Sequence, residues 1–284
     1  MPDKRPTSKM RPHFEDIQAH YDLSGDFFGL FQDPSRTYSC AYFEPADLSL
    51  EEAQIAKIDL NLDKLDLKPG MTLLDIGCGW GAFIQFATER YGVQAVGISP
   101  AVEQVAYCRE RVAGSSVEIR QSDYREVTGT FDRITSVGMM EHVGPRNLGE
   151  FFKVCDRLLA PDGMMLHHTI GVLRTKSYTN AWIDKYIFPG GVLPSLTQLA
   201  KAAEPAWVAE DVHNFGPDYD RTLMAWHANI DARWDDLPAY DERFRRMWRF
   251  YLLSCAAAFR ARQLQLWQIV YRRSGQADRY QPVR

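Results

Sequence analysis

An acidic residue followed by three alternating glycines, Asp75-Ile76-Gly77-Cys78-Gly79-Trp80-Gly81, is the stretch of this chain best suited to holding a ligand. Glycine lets a backbone turn sharply and approach a bound molecule where a Cβ would clash. The apolar run from Met71 to Ile76 has the pattern of a buried parallel strand, and a helix is predicted from about Ala82. A dinucleotide fingerprint would need its third glycine at 82, where Ala82 stands; here it is Gly81. The loop therefore reads as a nucleotide-type cofactor site, the plainer alternative being a merely tight strand–helix turn.

The elements that must position this loop follow from the hydrophobic pattern. Strands are predicted near 71–76, 94–98, 117–121, 131–137 and 163–169, with helices at about 82–91, 101–113 and 146–159. This alternation is the signature of a doubly wound parallel sheet, in which ligands sit beyond the C-terminal strand ends. Strands at about 206–213 and 264–272 bracket helices near 221–234 and 240–262, adding an antiparallel pair for seven strands in all. The expected class is α/β, and D-x-G-x-G-x-G is the pattern of class I S-adenosylmethionine-dependent methyltransferases with a Rossmann-like sheet. Within a catalytic domain at 67–284, residues 171–200 carry the breakers Phe188-Pro189-Gly190-Gly191 and Leu193-Pro194 and read as an irregular lid. Residues 1–66 read as an N-terminal cap. In it Leu50 to Leu65 is helical, with Ala53, Ala56, Leu60 and Lys64 on the packing side. The stretch from His13 to Phe43 holds Phe14, Tyr21, Phe27, Phe28, Phe31, Tyr38, Tyr42 and Phe43. It roofs the cofactor pocket or packs without touching ligand.

Composition narrows the classes further. The chain has 284 residues, 45% hydrophobic and 25% charged, as expected of a globular protein with a sizeable core. Cysteines at 40, 78, 108, 155 and 255 form no C-x-x-C pair, which argues against a zinc site or disulfide scaffold and for a reducing compartment. The first residues lack an apolar signal core and no long apolar run follows, so a cytoplasmic location is expected. A net charge of −4 argues against a general nucleic-acid binder. Charge is uneven: Arg243 to Arg273 contains eight arginines and no acid, so this segment is +8 and the remainder −12. Phe244, Met247, Trp248, Tyr251, Leu252, Cys255 and Phe259 recur there at helical spacing. The arginines around that stripe pair with acids elsewhere or attract anionic headgroups at a membrane.

Six separated blocks carry a family resemblance: Tyr38-Ser39-Cys40-Ala41-Tyr42-Phe43, the glycine loop, Gly138-Met139-Met140-Glu141-His142-Val143-Gly144, His168-Thr169-Ile170-Gly171, Tyr186-Ile187-Phe188-Pro189-Gly190-Gly191 and Asn214-Phe215-Gly216-Pro217-Asp218-Tyr219. In this order, over about 13–273, the chain resembles bacterial cyclopropane-fatty-acyl-phospholipid synthases and their mycolic-acid relatives. It resembles the shorter members, which lack an extra N-terminal domain.

The resemblance implies transfer of a methyl group from S-adenosylmethionine to the cis double bond of an unsaturated acyl chain, then proton loss to close a cyclopropane. The carbocation between these steps needs a dry, aromatic-lined pocket and one placed base. The family's base is bicarbonate, and the resemblance maps its holders to Cys40, Glu141, His168, Ile170 through its backbone, and Tyr219, the last in the loop after the sixth strand. For the cofactor it implies Gly77 and Gly79 beneath the methionine and ribose, with Asp75 fixing the loop or reaching the amino group. It also implies Gln104 with Ser99 at the ribose, Asp123 and Tyr124 at the adenine, Gly138 at the methionine end, and Tyr38-Ser39 closing from above. Plainer roles remain open. Glu141-His142 can cap a turn, one of His167 and His168 can be a core imidazole, Cys40 a small buried hydrophobe, Tyr219 a loop anchor and Tyr124 an edge-packed ring. The implied partner is an unsaturated acyl lipid, most simply in a phospholipid, with an anionic membrane surface and a homodimer as further candidates and no nucleic acid.

Overall fold

The computed structural model describes residues 25–204 and 206–284. The expectations for His13, Phe14 and Tyr21 lie outside the described residues. Chain order begins with helices α1 (Gly25–Phe31) and α2 (Leu50–Lys64), the latter started by a capping box between Ser49 and Glu52. Strand β1 (Thr72–Ile76), helix α3 (Ala82–Tyr91), β2 (Gln94–Ser99), α4 (Val102–Arg111), β3 (Val117–Gln121) and β4 (Phe131–Val137) follow. Then come α5 (Met140–Val143), α6 (Leu148–Leu158), β5 (Leu159–Val172), α7 (Ala181–Tyr186), α8 (Leu196–Ala203) and β6 (Trp207–Asn214). Helices α9 (Pro217–Asp231) and α10 (Glu242–Arg260) precede β7 (Leu264–Arg273).

The strands form a seven-stranded sheet in the order β3-β2-β1-β4-β5-β7-β6. Neighbours among β1 to β5 pair in parallel, and β7 runs antiparallel to both β5 and β6. Strand alternation divides the apolar side chains between two faces. On one, Ile76, Ile134, Ile269 and Tyr271 pack with Phe151 and Phe152 of α6. On the other, Leu73, Leu166 and Val270 pack with Ile58 and Leu62 of α2, Ile84 of α3 and Val105 of α4. Each fully buried large apolar side chain contributes about 1.5–3 kcal/mol. A third, aromatic cluster joins Phe27 and Phe31 of α1 to Trp226 of α9 and Trp248 and Tyr251 of α10. It includes Trp80 of the β1–α3 loop and Phe215 just past β6, which sets it over the C-terminal strand ends.

Several boundaries differ from the sequence expectation. The segment 171–200 contains α7 and the start of α8, because Asn180 Oδ1 accepts from Trp182 N and Ser195 forms a capping box with Gln198. Helix α9 starts at Pro217, a residue suited to the first helical turn, so Tyr219 lies in that turn and not in a loop. Strand β5 begins at Leu159, before Pro161-Asp162-Gly163, with a register shift opposite Phe131 and Arg133. In α2, Ala53, Leu60 and Lys64 are buried as expected, but Ala56 is only half-buried and Gln54, Lys57 and Asn61 are fully enclosed.

Gly171 shows how closely the site end of the sheet is packed. A Cβ there would lie 1.9 Å from Cζ3 of Trp267, which stands opposite on β7 across Thr169. Gly171→Ala is expected to lower unfolding free energy by about 1–3 kcal/mol, the range for overpacking a filled core. Urea denaturation followed by tryptophan fluorescence measures this, and an unchanged midpoint would refute the wedge.

Candidate active site

Two adjoining hollows open over the C-terminal strand ends. The smaller, about 120 Å³, lies among the segment 36–39, α2 and the glycine loop. Tyr38, Ser39, Asp75, Gly77, Gly79, Ser99, Gln104 and Gly138 all line it. Gly77, Gly79 and Gly81 have φ of 88°, 53° and 82°, a region that penalises side chains, and an added Cβ at Gly79 would meet nothing within 4 Å. The backbone N–H groups of Gly77 and Cys78 both donate to the Ile98 carbonyl at 3.0 Å, pinning the loop to β2. Ser99 Oγ donates to Gln104 Oε1 at 3.1 Å.

Asp123 and Tyr124 are not among the residues that line this cleft. Asp123 caps a short 3-10 turn and accepts from Arg125 N at 2.9 Å and Arg125 Nε at 2.8 Å. The Tyr124 ring packs on Phe151 with centroids 5.3 Å apart, the plainer of the two roles open to it.

Four polar residues on the buried face of α2 were not singled out as site residues by sequence. Gln54 Nε2 donates to the Ser39 carbonyl at 2.8 Å, and Lys57 Nζ donates to Ser39 Oγ at 3.0 Å. Asn61 receives a hydrogen bond from Gln268 Nε2, and Lys64 Nζ lies 3.0 Å from His213 Nδ1 and 3.7 Å from Asp211. Their spacing of three or four residues on a helix that must pack against the sheet was the available signal. Burial depresses the Lys57 ammonium to about 8 against the opposing pull of Asp33, Cys40 and Asp75. Burial likewise pushes the Asp75 carboxyl up to about 7, and Lys57 draws it back. Asp75 Oδ1 has no hydrogen-bond partner among the described residues.

The larger cavity, about 1200 Å³, is lined by Glu141, Ile170 and Tyr219 together with aromatic side chains that include Phe188, Tyr251 and Phe259. Tyr38, Gly138 and His142 line both hollows, so they form the common wall. Tyr38 Oη is 3.1 Å from Tyr251 Oη of α10. The role of His142 in this wall was not expected from sequence.

Glu141 is 8% exposed and Oε1 accepts from the Ile170 N–H at 2.7 Å. Its Oε2 has no partner among the described residues. Burial raises this carboxyl to about 7, opposed by the backbone N–H groups that it accepts from. Cys40 and His168 are 0% and 1% exposed and are not among the residues lining either hollow. Cys40 shares the aromatic cluster with Tyr219 and Phe215, and the His168 ring lies 5.7 Å from that of Phe215. The two adjacent histidines separate as strand alternation requires. His167 stacks on Phe151 at 5.1 Å on the opposite face and is the core imidazole, while His168 shares a face with Ile170.

Sheet order, glycine turn and adjoining hollows define a class I S-adenosylmethionine-dependent methyltransferase fold. The cradle at Gly79 and the unpartnered Asp75 oxygen fit such a cofactor. The structure of the mycolic acid cyclopropane synthase CmaA1 complexed with SAH and CTAB superimposes with a TM-score of 0.87 at 41% identity, covering 92% of this chain and 99% of that one. The chain belongs to the mycolic acid cyclopropane synthetase family, whose model matches residues 8–269. It is 51% identical over 257 residues to the cyclopropane-fatty-acyl-phospholipid synthase of Escherichia coli K12, covering 90% of this chain and 67% of that protein. It is 42% identical to cyclopropane mycolic acid synthase 1 of Mycobacterium tuberculosis CDC 1551, covering 92% and 96%.

The raised Glu141 carboxyl has a consequence for stability. A folded-state value above the ordinary 4.5 means that this contribution to stability is complete below about that pH and is lost as pH rises through about 7. Glu141→Gln, neutral throughout, is therefore expected to resist urea better than the unaltered protein above neutrality, by roughly 1–3 kcal/mol, with the gap closing under acid. Paired denaturation curves in ligand-free, bicarbonate-free buffer measure this; a gap that widens toward acid would reverse the assigned direction.

Proposed function

We propose that this chain transfers a methyl group from S-adenosylmethionine to the cis double bond of an unsaturated fatty acyl chain, a phospholipid-borne chain being favoured, and closes a cyclopropane by proton loss. The observation that carries this reading is the wall of Tyr38, Gly138 and His142 shared by the cofactor cleft and the large apolar cavity. Bound cofactor would supply an electrophilic methyl on a sulfonium, and the alkene π-electrons would supply the new bond. The chain's own part is to keep water from the resulting carbocation and to offer it aromatic faces, such as those of Tyr251 and Phe259. Of the described residues, 25–66 are assigned as the roof of the cofactor cleft, and 171–200 as a lid on the acyl cavity.

A base must remove the proton. Cys40, Glu141, His168, the Ile170 backbone and Tyr219 would hold bicarbonate, which would supply that base. Glu141 Oε2 and His168 Nε2 support the assignment, because each is a buried polar atom without a partner among the described residues. Neutral His168 suits such a site, since burial and the charges of Lys57 and Lys64 hold it well below the usual imidazole range.

Contact with an anionic membrane belongs to the same reading. No helix of the described residues is long and apolar enough to cross a membrane. Arg249 and Arg260 of α10 pair with Asp231 and Asp220, as the plainer reading of the arginines expects. Arg243 and Arg246 instead are exposed at the rim of the acyl cavity. Beside them stand Tyr178 and Phe250, 69% and 55% exposed. Such a rim would place the cavity mouth on a lipid surface, each basic residue contributing about 1 kcal/mol.

Three experiments test this reading. Lipids from cells expressing the chain should gain the mass of one methylene in a form that resists hydrogenation. Glu141→Gln and His168→Gln should each cut turnover roughly a hundredfold or more, with cofactor affinity nearly unchanged; a retained alkene, or full turnover in either variant, would remove the ring-closing assignment. Separately, Arg243→Glu with Arg246→Glu should weaken sedimentation with phosphatidylglycerol vesicles, and binding indifferent to anionic lipid and salt would defeat the membrane assignment.

A further inference from the structure

His168 is held from behind by a layer that the proposed chemistry does not use. In the antiparallel ladders, His168 of β5 stands opposite Gln268 of β7, which stands opposite His213 of β6. Directly opposed residues point to the same face of a sheet, here the face covered by α2. Gln268 Nε2 donates to Asn61 Oδ1 of α2 and lies 3.2 Å from His168 Nδ1. All three residues are buried, at 0%, 0% and 1% exposure. On the far side, His213 Nδ1 is taken up by Lys64 Nζ at 3.0 Å and does not compete for the amide.

An amide nitrogen brings two hydrogens and no available lone pair. With both amides oriented as in the structure, one hydrogen goes to Asn61 and the other points at Nδ1 of His168, which then accepts. A neutral imidazole that accepts at Nδ1 carries its proton on Nε2. That Nε2 is the atom left without a partner among the described residues, and it shares its strand face with Ile170, whose N–H anchors Glu141.

We propose that Asn61 and Gln268 are positioning residues that lock His168 as the Nε2–H tautomer, making it a hydrogen-bond donor to the captured oxyanion and barring it from accepting the substrate proton. This rests on the oxyanion site proposed above. The division of labour follows: His168 donates from Nε2, the Ile170 N–H holds Glu141 in place, and proton acceptance falls to the anion held beside them. A lock built from amides also stops His168 from passing a proton backwards, because Gln268 offers Nδ1 only a hydrogen.

The tautomer is directly observable. Two-bond ¹⁵N–¹H correlation spectra of the ¹⁵N-histidine-labelled full chain, with S-adenosylhomocysteine and bicarbonate near neutral pH, should show a pyridine-like Nδ1 and a pyrrole-like Nε2 for His168, assigned by loss of the signals in His168→Gln. Gln268→Glu places an acceptor beside Nδ1 and is expected to move the proton there, lowering kcat roughly tenfold or more while the KM for S-adenosylmethionine stays within about twofold. Asn61→Asp preserves the accepting oxygen and should preserve the tautomer. A protonated Nδ1 in the unaltered protein, or a switched tautomer in Gln268→Glu with unchanged kcat, would overturn the proposal; if Gln268→Glu does not fold, the spectrum of the unaltered protein still decides. Full turnover in His168→Gln would instead overturn the oxyanion site itself, whatever the tautomer.

Discussion

Desolvation is the constraint on which the rest of this structure depends. Lys57, Asp75, Glu141 and His168 are all buried, and burial is the largest influence on each of them. A dry interior is what a carbocation requires, and it is also what makes every polar group near it costly unless paired. The polar face of α2 answers part of that conflict. Gln54 and Lys57 satisfy the segment that carries Tyr38 and Ser39, and Asn61 satisfies Gln268 behind His168.

The aromatic cluster and this polar layer divide the work around the site. Phe27, Phe31, Trp226 and Trp248 form rigid, apolar packing above the strand ends, with ring pairs such as Phe27–Trp248 at 4.8 Å. Tyr38 stands where the two meet, its ring tilted against Trp226 at 5.1 Å and its hydroxyl 3.1 Å from that of Tyr251. This side chain thereby borders both the smaller cleft and the larger cavity.

Much of this was legible in the sequence because it rests on local signals. The parallel strands and the glycine turn follow from alternation and from backbone positions that favour glycine, and eight of the implied cofactor residues gather in one cleft. The rest depended on helix-start chemistry or on partners distant in sequence. Tyr219 moved from loop to helix because Pro217 starts α9 earlier than the apolar pattern does. The burial of Lys57 and Asn61 could not be read from residue type, since such side chains are ordinarily exposed and only their distant partners, Ser39 and Gln268, make enclosure tolerable. Arginines of α10 could not be sorted by sequence either, because Asp220 and Asp231 reach only some of them.

Strand order carries one more consequence, for biosynthesis. The position between β5 and β6, one in from the edge of the sheet, is filled by β7, the last of these seven strands in chain order. Until Gln268 arrives, β6 has no partner in the sheet and His168 has nothing behind it. A nascent chain in which β1 to β5 have paired would carry an open edge on β5, a row of unpaired backbone groups inviting association until β7 slides home.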